Sequence, residues 1–352
     1  MIIRDSLISL EKPSYFIAEI GSNFDGSLAK AKNLISLAKS SGADAVKFQH
    51  YTASSLISDK GFSSLGTTLA HQKDWEGSVS EVYDKASLDV SWTKELSDFS
   101  HELGLDFITS PYSIQILSEV SSYIDAIKIG SGDITFSPLL KETLKYNLPV
   151  LLATGASNLV EVEEAMSILL PIVDNLCIMQ CNTNYQSLSS DSKYQNLNVL
   201  NTYSQMFPKA VLGLSCHAPY DNTVSLSIAL GARIFEKHFT DSNSNPGPDH
   251  GFALEPSDFK SMVSNARFTE ILLGSTLKKV EDNEKDTVIV QRRAIRARRN
   301  ISSGELIDMN NIQFLRPCPE SALTPAQLNS ILGRVLKEDI FEGDYISTEK
   351  LT

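Results

Sequence analysis

Eight short apolar segments, each ending in polar residues and spaced by helical stretches, predict a (β/α)8 TIM barrel over residues 1–274 of this 352-residue chain. After them a polar run at 275–287 (S-T-L-K-K-V-E-D-N-E-K-D-T) reads as a linker, and the character changes to a small domain over 288–352. A doubly wound open sheet is the competing α/β architecture. The first strand is not followed by G-x-G-x-x-G, which counts against the dinucleotide-binding version of it.

The first strand is F-I-A-E-I-G-S at 16–22. Leu28, Ala31, Leu34, Ile35 and Ala38 then recur at helical spacing over 28–40, and Gly42 stops that helix. A-V-K-F-Q-H at 45–50 is the second strand, so the unit is β-α-β with a crossover long enough for parallel pairing. Residues 51–80 break the rhythm: they are rich in Ser, Gly and Thr, and read either as a βα excursion over an active face or as a plain surface insertion. Trp92 to Leu103 is helical. Strands follow at 106–111, 126–133, 149–155, 176–182, 210–217 and 232–239, with helices expected over about 158–170 and 256–273. From 288, V-I-V-Q-R-R-A-I-R-A-R-R is strand-like and turns through Gly304.

The formal charge of −12 argues against a general nucleic-acid binder, and the basic run Arg292, Arg293, Arg296, Arg298, Arg299 is short and lacks interleaved aromatics. Four scattered cysteines (177, 181, 216, 318) build no zinc framework and are expected to be reduced, as in a cytoplasmic protein. No apolar run is long enough for a membrane span, and no signal peptide is visible.

Polar residues cluster at the C-terminal strand ends, where barrels build their sites. In order they are Glu19 and Ser22, Lys47 and Gln49, Thr109 and Ser110, Lys128 with Ser131 and Asp133, Thr154, Asn182 with Asn184 and Tyr185, Ser215 and His217, and Glu236 with His238. Side chains at i and i+2 share a face, so Lys47 points with Gln49, Ser215 with His217 and Glu236 with His238, while Cys216 faces the helices. Inward lysines need an anion or a buried carboxylate. Lys47 and Lys128, with Ser110, Ser131, Thr154 and Ser215, make either an anion cradle or a set of buried Lys–Glu pairs. His217 and His238 are either two ordinary histidines or the donors of a divalent metal with open positions.

The motifs A-E-I-G-x-N, V-K-F-Q, K-I-G-S-G, A-T-G, G-L-S-x-H, E-K-H-F-T and P-G-P-D-H together resemble the sialic acid (nonulosonic acid) synthase family over almost the full chain. The tail, with G-E-L-I and the R-P of Arg316, resembles that family's antifreeze-like (SAF, β-clip-like) domain. The resemblance implies condensation of phosphoenolpyruvate with an N-acetylmannosamine-type aldose to give N-acetylneuraminate or a related nine-carbon acid and phosphate. It implies His217 and His238 as ligands of Mn2+ or Mg2+. It implies Lys47, Ser110, Lys128, Ser131, Thr154 and Ser215 around phosphoenolpyruvate, and Gln49, Tyr185 and Asp249 around the acceptor. Asp133, Asp25 and Lys128 are the catalytic candidates. It further implies a homodimer in which the small domain of one subunit covers the barrel mouth of the other and Arg316 reaches the acceptor's N-acetyl group.

Three departures from the family pattern stand out. Asn23-Phe24-Asp25-Gly26 replaces N-H-E-G or N-H-N-G, Cys216 replaces an aspartate, and Tyr185-Gln186 replaces Y-P. Phe24 is expected to favour a deoxy or otherwise less polar patch on the sugar, as in the acceptors that lead to legionaminic or pseudaminic acid. Asp25 keeps a group able to accept sugar hydroxyls. Other readings are a barrel aldolase forming a Schiff base on Lys128 or Lys47, and a non-catalytic sugar-binding or assembly protein.

Overall fold

The computed structural model describes residues 1–65, 77–184, 189–218 and 222–352, and the chain divides into two compact units, Met1–Gly274 and Ser275–Thr352. The first is a closed barrel of eight parallel strands paired in chain order. They are β1 (Tyr15–Gly21), β2 (Ala45–His50), β3 (Asp106–Pro111), β4 (Ala126–Ile129), β5 (Val150–Ala153), β6 (Leu176–Asn182), β7 (Val211–Cys216) and β8 (Ile234–His238). β8 closes on β1 with His238 opposite Glu19.

The helices follow from capping and from one apolar face. α1 (Leu28–Ser40) starts where the Ser27 side chain accepts from the Lys30 amide, and it buries Ala31, Leu34, Ile35 and Ala38 against the sheet. The stretch that broke the rhythm folds into α2 (Ala53–Leu56), α3 (Asp59–Ser64) and α4 (Val79–Ala86). The remaining helices of this unit are α5 (Thr93–Glu102), α6 (Ile114–Val120), α7 (Ser137–Thr143), α8 (Leu159–Leu169), α9 (Val199–Met206), α10 (Asn222–Ala229) and α11 (Pro256–Leu273). The fourth strand is shorter than the sequence suggested. It ends at Ile129, and Ser131–Asp133 is a 3-10 turn, because Gly130 and Gly132 lack the side chains that hold a pleated strand against its neighbours.

Strand alternation divides the core into two. Outward residues such as Phe16, Ile20, Phe48, Phe107, Ile127, Leu152, Leu214 and Phe235 pack under the helices. Inward residues Tyr15, Ile17, Ala45, Ile108, Leu151, Met179 and Ile234 fill the bottom of the barrel, together with Ile3 and Ile8 from the N-terminal hairpin. One turn further along the same inward faces, the residues become charged or hydroxylated.

The second unit opens with a 3-10 turn (Asp282–Glu284) and α12 (Lys285–Gln291), followed by antiparallel strands β9 (Ala294–Ala297) and β10 (Ile312–Leu315). The strand expected from Val288 therefore begins only at Ala294. Asp286 in the first turn of α12 and the acidic run before it favour the positive end of a helix over an extended start. Its core is Ile295, Ile301, Ile307, Ile312, Ile331, Leu336, Ile340, Ile346 and Leu351.

Candidate active site

The upper inward layer forms a charged cluster over the apolar barrel floor. Glu19 on β1 and Lys47 on β2 are register neighbours, and Lys47 Nζ lies 2.8 Å from Glu19 Oε2. Lys47 also donates to Ser110 Oγ at 3.2 Å. Lys128 Nζ donates to Glu236 Oε1 at 2.9 Å, and Ser215 Oγ donates to the same oxygen at 3.2 Å. Gln49 Nε2 donates to Glu19 Oε1 at 2.6 Å. All four charged groups are at most 5% exposed. The cluster forms one wall of a cavity of about 310 Å3 whose lining also includes Ser131, Asp133, Cys181, His217 and His238.

Burial and charge act on these groups in opposite senses. Burial alone would raise the Glu236 carboxyl, but the Lys128 and Lys47 ammonium groups override it and hold Glu236 ionised. Burial pulls Lys47 down and Glu19, followed by Glu236, more than restores it, so Lys47 stays charged. Asp133 sits at the cavity edge with burial as the one cause of its shift, and its carboxyl is pushed up to about 6. The two lysines are thus already matched by carboxylates, and the buried-pair reading describes the cluster as it stands.

His217 and His238 lie side by side with ring centroids 5.3 Å apart. His217 Nδ1 is 3.0 Å from the Asn182 carbonyl oxygen, an acceptor only, so Nδ1 carries the proton and Nε2 keeps its lone pair. Burial and then the neighbouring His238 pull His217 down to about 3, so the ring is neutral at ordinary pH. Two imidazoles on adjacent strands, beside a carboxylate-rich wall, are a donor set that suits Mn2+ or Mg2+ when oxygen ligands complete it. Among the described residues no group of three or more His, Cys, Asp or Glu side chains is arranged to hold a metal unaided.

Lys47, Ser110, Lys128, Ser131, Ser215, Gln49, Asp133, His217 and His238 all reach this cavity. Asp249 stands next to it. Its carboxylate accepts from Ser22 N and Oγ at 3.2 and 2.9 Å, and with Gln49 and His238 it lines an adjoining space of about 100 Å3. Gly21 makes room for Asp249: φ is +55°, and a Cβ there would lie 2.7 Å from Asp249 Oδ2.

Several expectations are corrected. Thr154 follows Ala153 on β5 and alternation turns it outward, where its hydroxyl donates to Met179 O and accepts from Tyr203 OH. It lies outside the lysine-lined cavity and has no proton left for a phosphate. Asp25 does not line the cavity either; its carboxylate is taken by Lys30 and by His250 Nε2. Phe24 is fully buried against Phe48 and Trp92, so it is part of the wall behind the site and does not line the cavity. Tyr185 and Gln186 lie outside the described residues. Arg316 is exposed on the second unit. Cys216 does face outward: its thiol is buried between sheet and helices and accepts from Lys237 Nζ at 3.3 Å.

Glu19 and Glu236 were placed among the polar strand ends, but the resemblance gave them no role in the site. The signal was present, since two inward lysines each require a partner and both glutamates share the inward register. The residues overhanging the cavity, Leu56, Ile57, Phe62 and Tyr83, were not identified either, because they come from the irregular excursion where no periodicity points a side chain.

A sequence profile of the NeuB family matches residues 34–278, and a SAF domain profile matches residues 292–352. An uncharacterised protein of Methanocaldococcus jannaschii is 34% identical over 99% of this chain and 98% of its own length. The N,N'-diacetyllegionaminic acid synthase of Legionella pneumophila is 32% identical over 96% of this chain and 94% of its own. In fold, the chain is similar to the crystal structure of a protein described as a spore coat polysaccharide biosynthesis protein E from Chromobacterium violaceum, with TM-score 0.80, 22% identity and coverage of 96% and 99% of the two chains. With this barrel, this cluster and these matches, the chain belongs to the NeuB family of transferases, which includes sialic, legionaminic and pseudaminic acid synthases, and ends in a SAF domain.

Proposed function

We propose that this enzyme condenses phosphoenolpyruvate with an open-chain N-acetylated hexosamine of the mannosamine type, releasing phosphate and forming a nine-carbon 2-keto acid. N-acetylmannosamine, giving N-acetylneuraminate, is the parent acceptor, and its diacetamido trideoxy analogues are the alternative. The observation that carries the reading is the single cavity holding two ammonium groups, three serine hydroxyls, two adjacent imidazoles and a carboxyl shifted toward neutrality.

Lys47 and Lys128 supply point charges, and Ser110 and Ser131 supply hydroxyl donors, for the carboxylate and phosphate of phosphoenolpyruvate, while Ser215 lines the same pocket with its proton donated to Glu236. Gln49 and Asp249 face the acceptor. C3 of phosphoenolpyruvate attacks the aldehyde carbon, and positive charge develops at C2. The Glu236 carboxylate, held ionised by Lys128 and Lys47, stabilises that charge without reorganising, with Glu19 fixed beside it. Asp133 takes the proton of the water that adds to C2 and passes it to the alkoxide left on the former aldehyde carbon, and the tetrahedral intermediate collapses to the ketone with C–O cleavage, its hydroxyl proton leaving with the expelled phosphate. Holding both substrates in one cavity contributes much of the rate. His217 and His238 would hold a Mn2+ or Mg2+ ion, whose Lewis acidity polarises the aldehyde.

The Schiff-base alternative requires a neutral lysine, whereas both candidate lysines sit in carboxylate pairs. Borohydride trapping of a covalent adduct would reinstate it. We further propose a cytoplasmic homodimer in which the exposed Arg316 completes the acceptor site of the second copy. Mixing inactive His217→Ala and Arg316→Ala proteins should restore activity after subunit exchange, and demonstrated exchange without recovery removes the shared site. The synthase reading is tested by phosphate release with phosphoenolpyruvate and each hexosamine, before and after chelation. Release that depends on both substrates and on Mn2+ supports it; full activity of His238→Ala after exhaustive chelation contradicts it.

A further inference from the structure

The cavity has two unlike sides. Its floor and wall are charged, but overhanging them are Leu56 and Ile57 at the end of α2, Phe62 on α3 and Tyr83 on α4. These four are half-buried, and among the described residues none of them packs into either apolar core of the barrel unit. Leu56 and Tyr83 also line the adjoining space, where Val82 and Ala86 face Ser22, Gln49 and Asp249. Aromatic contacts fix this overhang to the barrel: Tyr51 meets Tyr83 at 5.3 Å and Tyr112 at 5.7 Å, and Tyr112 OH donates to Gln49 Oε1 at 3.3 Å. A sugar reaching from the charged floor therefore has polar partners at Gln49 and Asp249 and hydrocarbon at Leu56, Ile57 and Phe62.

We infer that this overhang is the specificity element of the acceptor site, and that it selects an N-acylated hexose with a deoxygenated, methyl-terminated end over the same hexose bearing a hydroxyl there. The inference rests on the synthase reading and narrows its acceptor. Leu56, Ile57 and Phe62 have no side-chain donor or acceptor, so a hydroxyl buried against them loses its water without replacement, while a methyl group gains contact. Discrimination by an apolar pocket of this kind is limited to roughly tenfold to a few hundredfold.

The test is kcat/KM for N-acetylmannosamine and for its 6-deoxy analogue at saturating phosphoenolpyruvate, in the wild-type full chain and in Ile57→Thr and Phe62→Tyr. Phe62→Tyr keeps the ring and adds a hydroxyl, Ile57→Thr shortens the side chain by one heavy atom and adds a hydroxyl, and a thermal melt of each establishes that it is folded. The wild type should prefer the 6-deoxy sugar by at least about tenfold, and each variant should cut that ratio severalfold while leaving KM for phosphoenolpyruvate within about twofold. A wild-type preference for the hydroxylated sugar, or a ratio unchanged in both folded variants, overturns the inference and leaves the synthase reading intact. Phosphate release with neither sugar overturns the synthase reading, and the inference with it.

Discussion

Ser215 and Cys216 are joined by one peptide bond and sit in different surroundings. Ser215 donates to a buried carboxylate that is paired with Lys128; Cys216 lies among Leu214, Ala218 and Val224 under the helices. The next strand repeats the division. Glu236 and His238 face the cavity, and Lys237 between them is 2% exposed on the other face, donating to the Ala218 carbonyl and to the Cys216 thiol. The inner face concentrates charge because each cation there has a carboxylate opposite it. The outer face tolerates one lysine because a carbonyl and a soft sulfur receive its protons. A departure from family pattern on the outer face is thus a packing change, and the same departure one residue along would be a change in chemistry.

Lys128→Met should show the inner face at its most sensitive. It removes the nearer ammonium partner of the Glu236 carboxylate and leaves Lys47 at 3.8 Å, so thermal unfolding should report a loss of about 2–4 kcal/mol, and phosphoenolpyruvate affinity by calorimetry should fall by about two orders of magnitude. Adding Glu236→Leu removes that carboxylate and should recover most of the stability and none of the affinity. Recovery of both would mean that Lys128 is purely structural.

Phe24→Ala breaks the outer layer instead. Removing a ring packed on Phe48 and Trp92 should cost about 3–5 kcal/mol in denaturant unfolding. The acceptor preference of the folded fraction should stay the same; a changed preference would return Phe24 to the sugar site.

Asp133 titrates in a window set by its environment. Burial raises its carboxyl from the ordinary 3.8 to about 6, so the stability it contributes is complete below that lower value and is lost as pH rises through 6. Asp133→Asn should therefore be more stable than wild type by roughly 1–2 kcal/mol at about pH 8, with the gap closing toward about pH 4. In the wild type, kcat should fall as pH drops below about 6, because a base must be unprotonated. An equally stable variant at both pH values would contradict the burial argument.

Thr154→Val should be the mildest. It forfeits hydrogen bonds to Met179 and Tyr203, costing about 1–2 kcal/mol, and KM for phosphoenolpyruvate should not move. A rise of tenfold or more would put the hydroxyl back among the phosphate donors.

Strand positions and facing were legible in the sequence because burial on two sides makes parallel strands continuous and apolar, and a period of two then assigns each polar residue a side. That is why Lys47, Ser215, His217 and His238 are found where expected, and why Thr154, counted along β5, belongs outside. Residues beyond the strand ends were not legible in this way. Nothing local in N-F-D-G says that Phe24 turns into the wall or that Asp25 is claimed by Lys30 and His250, the latter 225 residues away in sequence. The overhang of Leu56, Ile57 and Phe62 was equally hidden, since helices of four and six residues carry too few turns for a periodic face.

On the proposed mechanism the inward faces of the barrel strands carry the reaction and the outward faces support it. The most direct measurement is phosphoenolpyruvate- and hexosamine-dependent phosphate release by His217→Ala and Cys216→Ser, neighbours on opposite sides of one strand, each tested for folding by thermal melt. The account predicts a loss of at least about a thousandfold in kcat for His217→Ala and a change within about threefold for Cys216→Ser. Comparable losses in both folded proteins, or turnover preserved in His217→Ala, would contradict it.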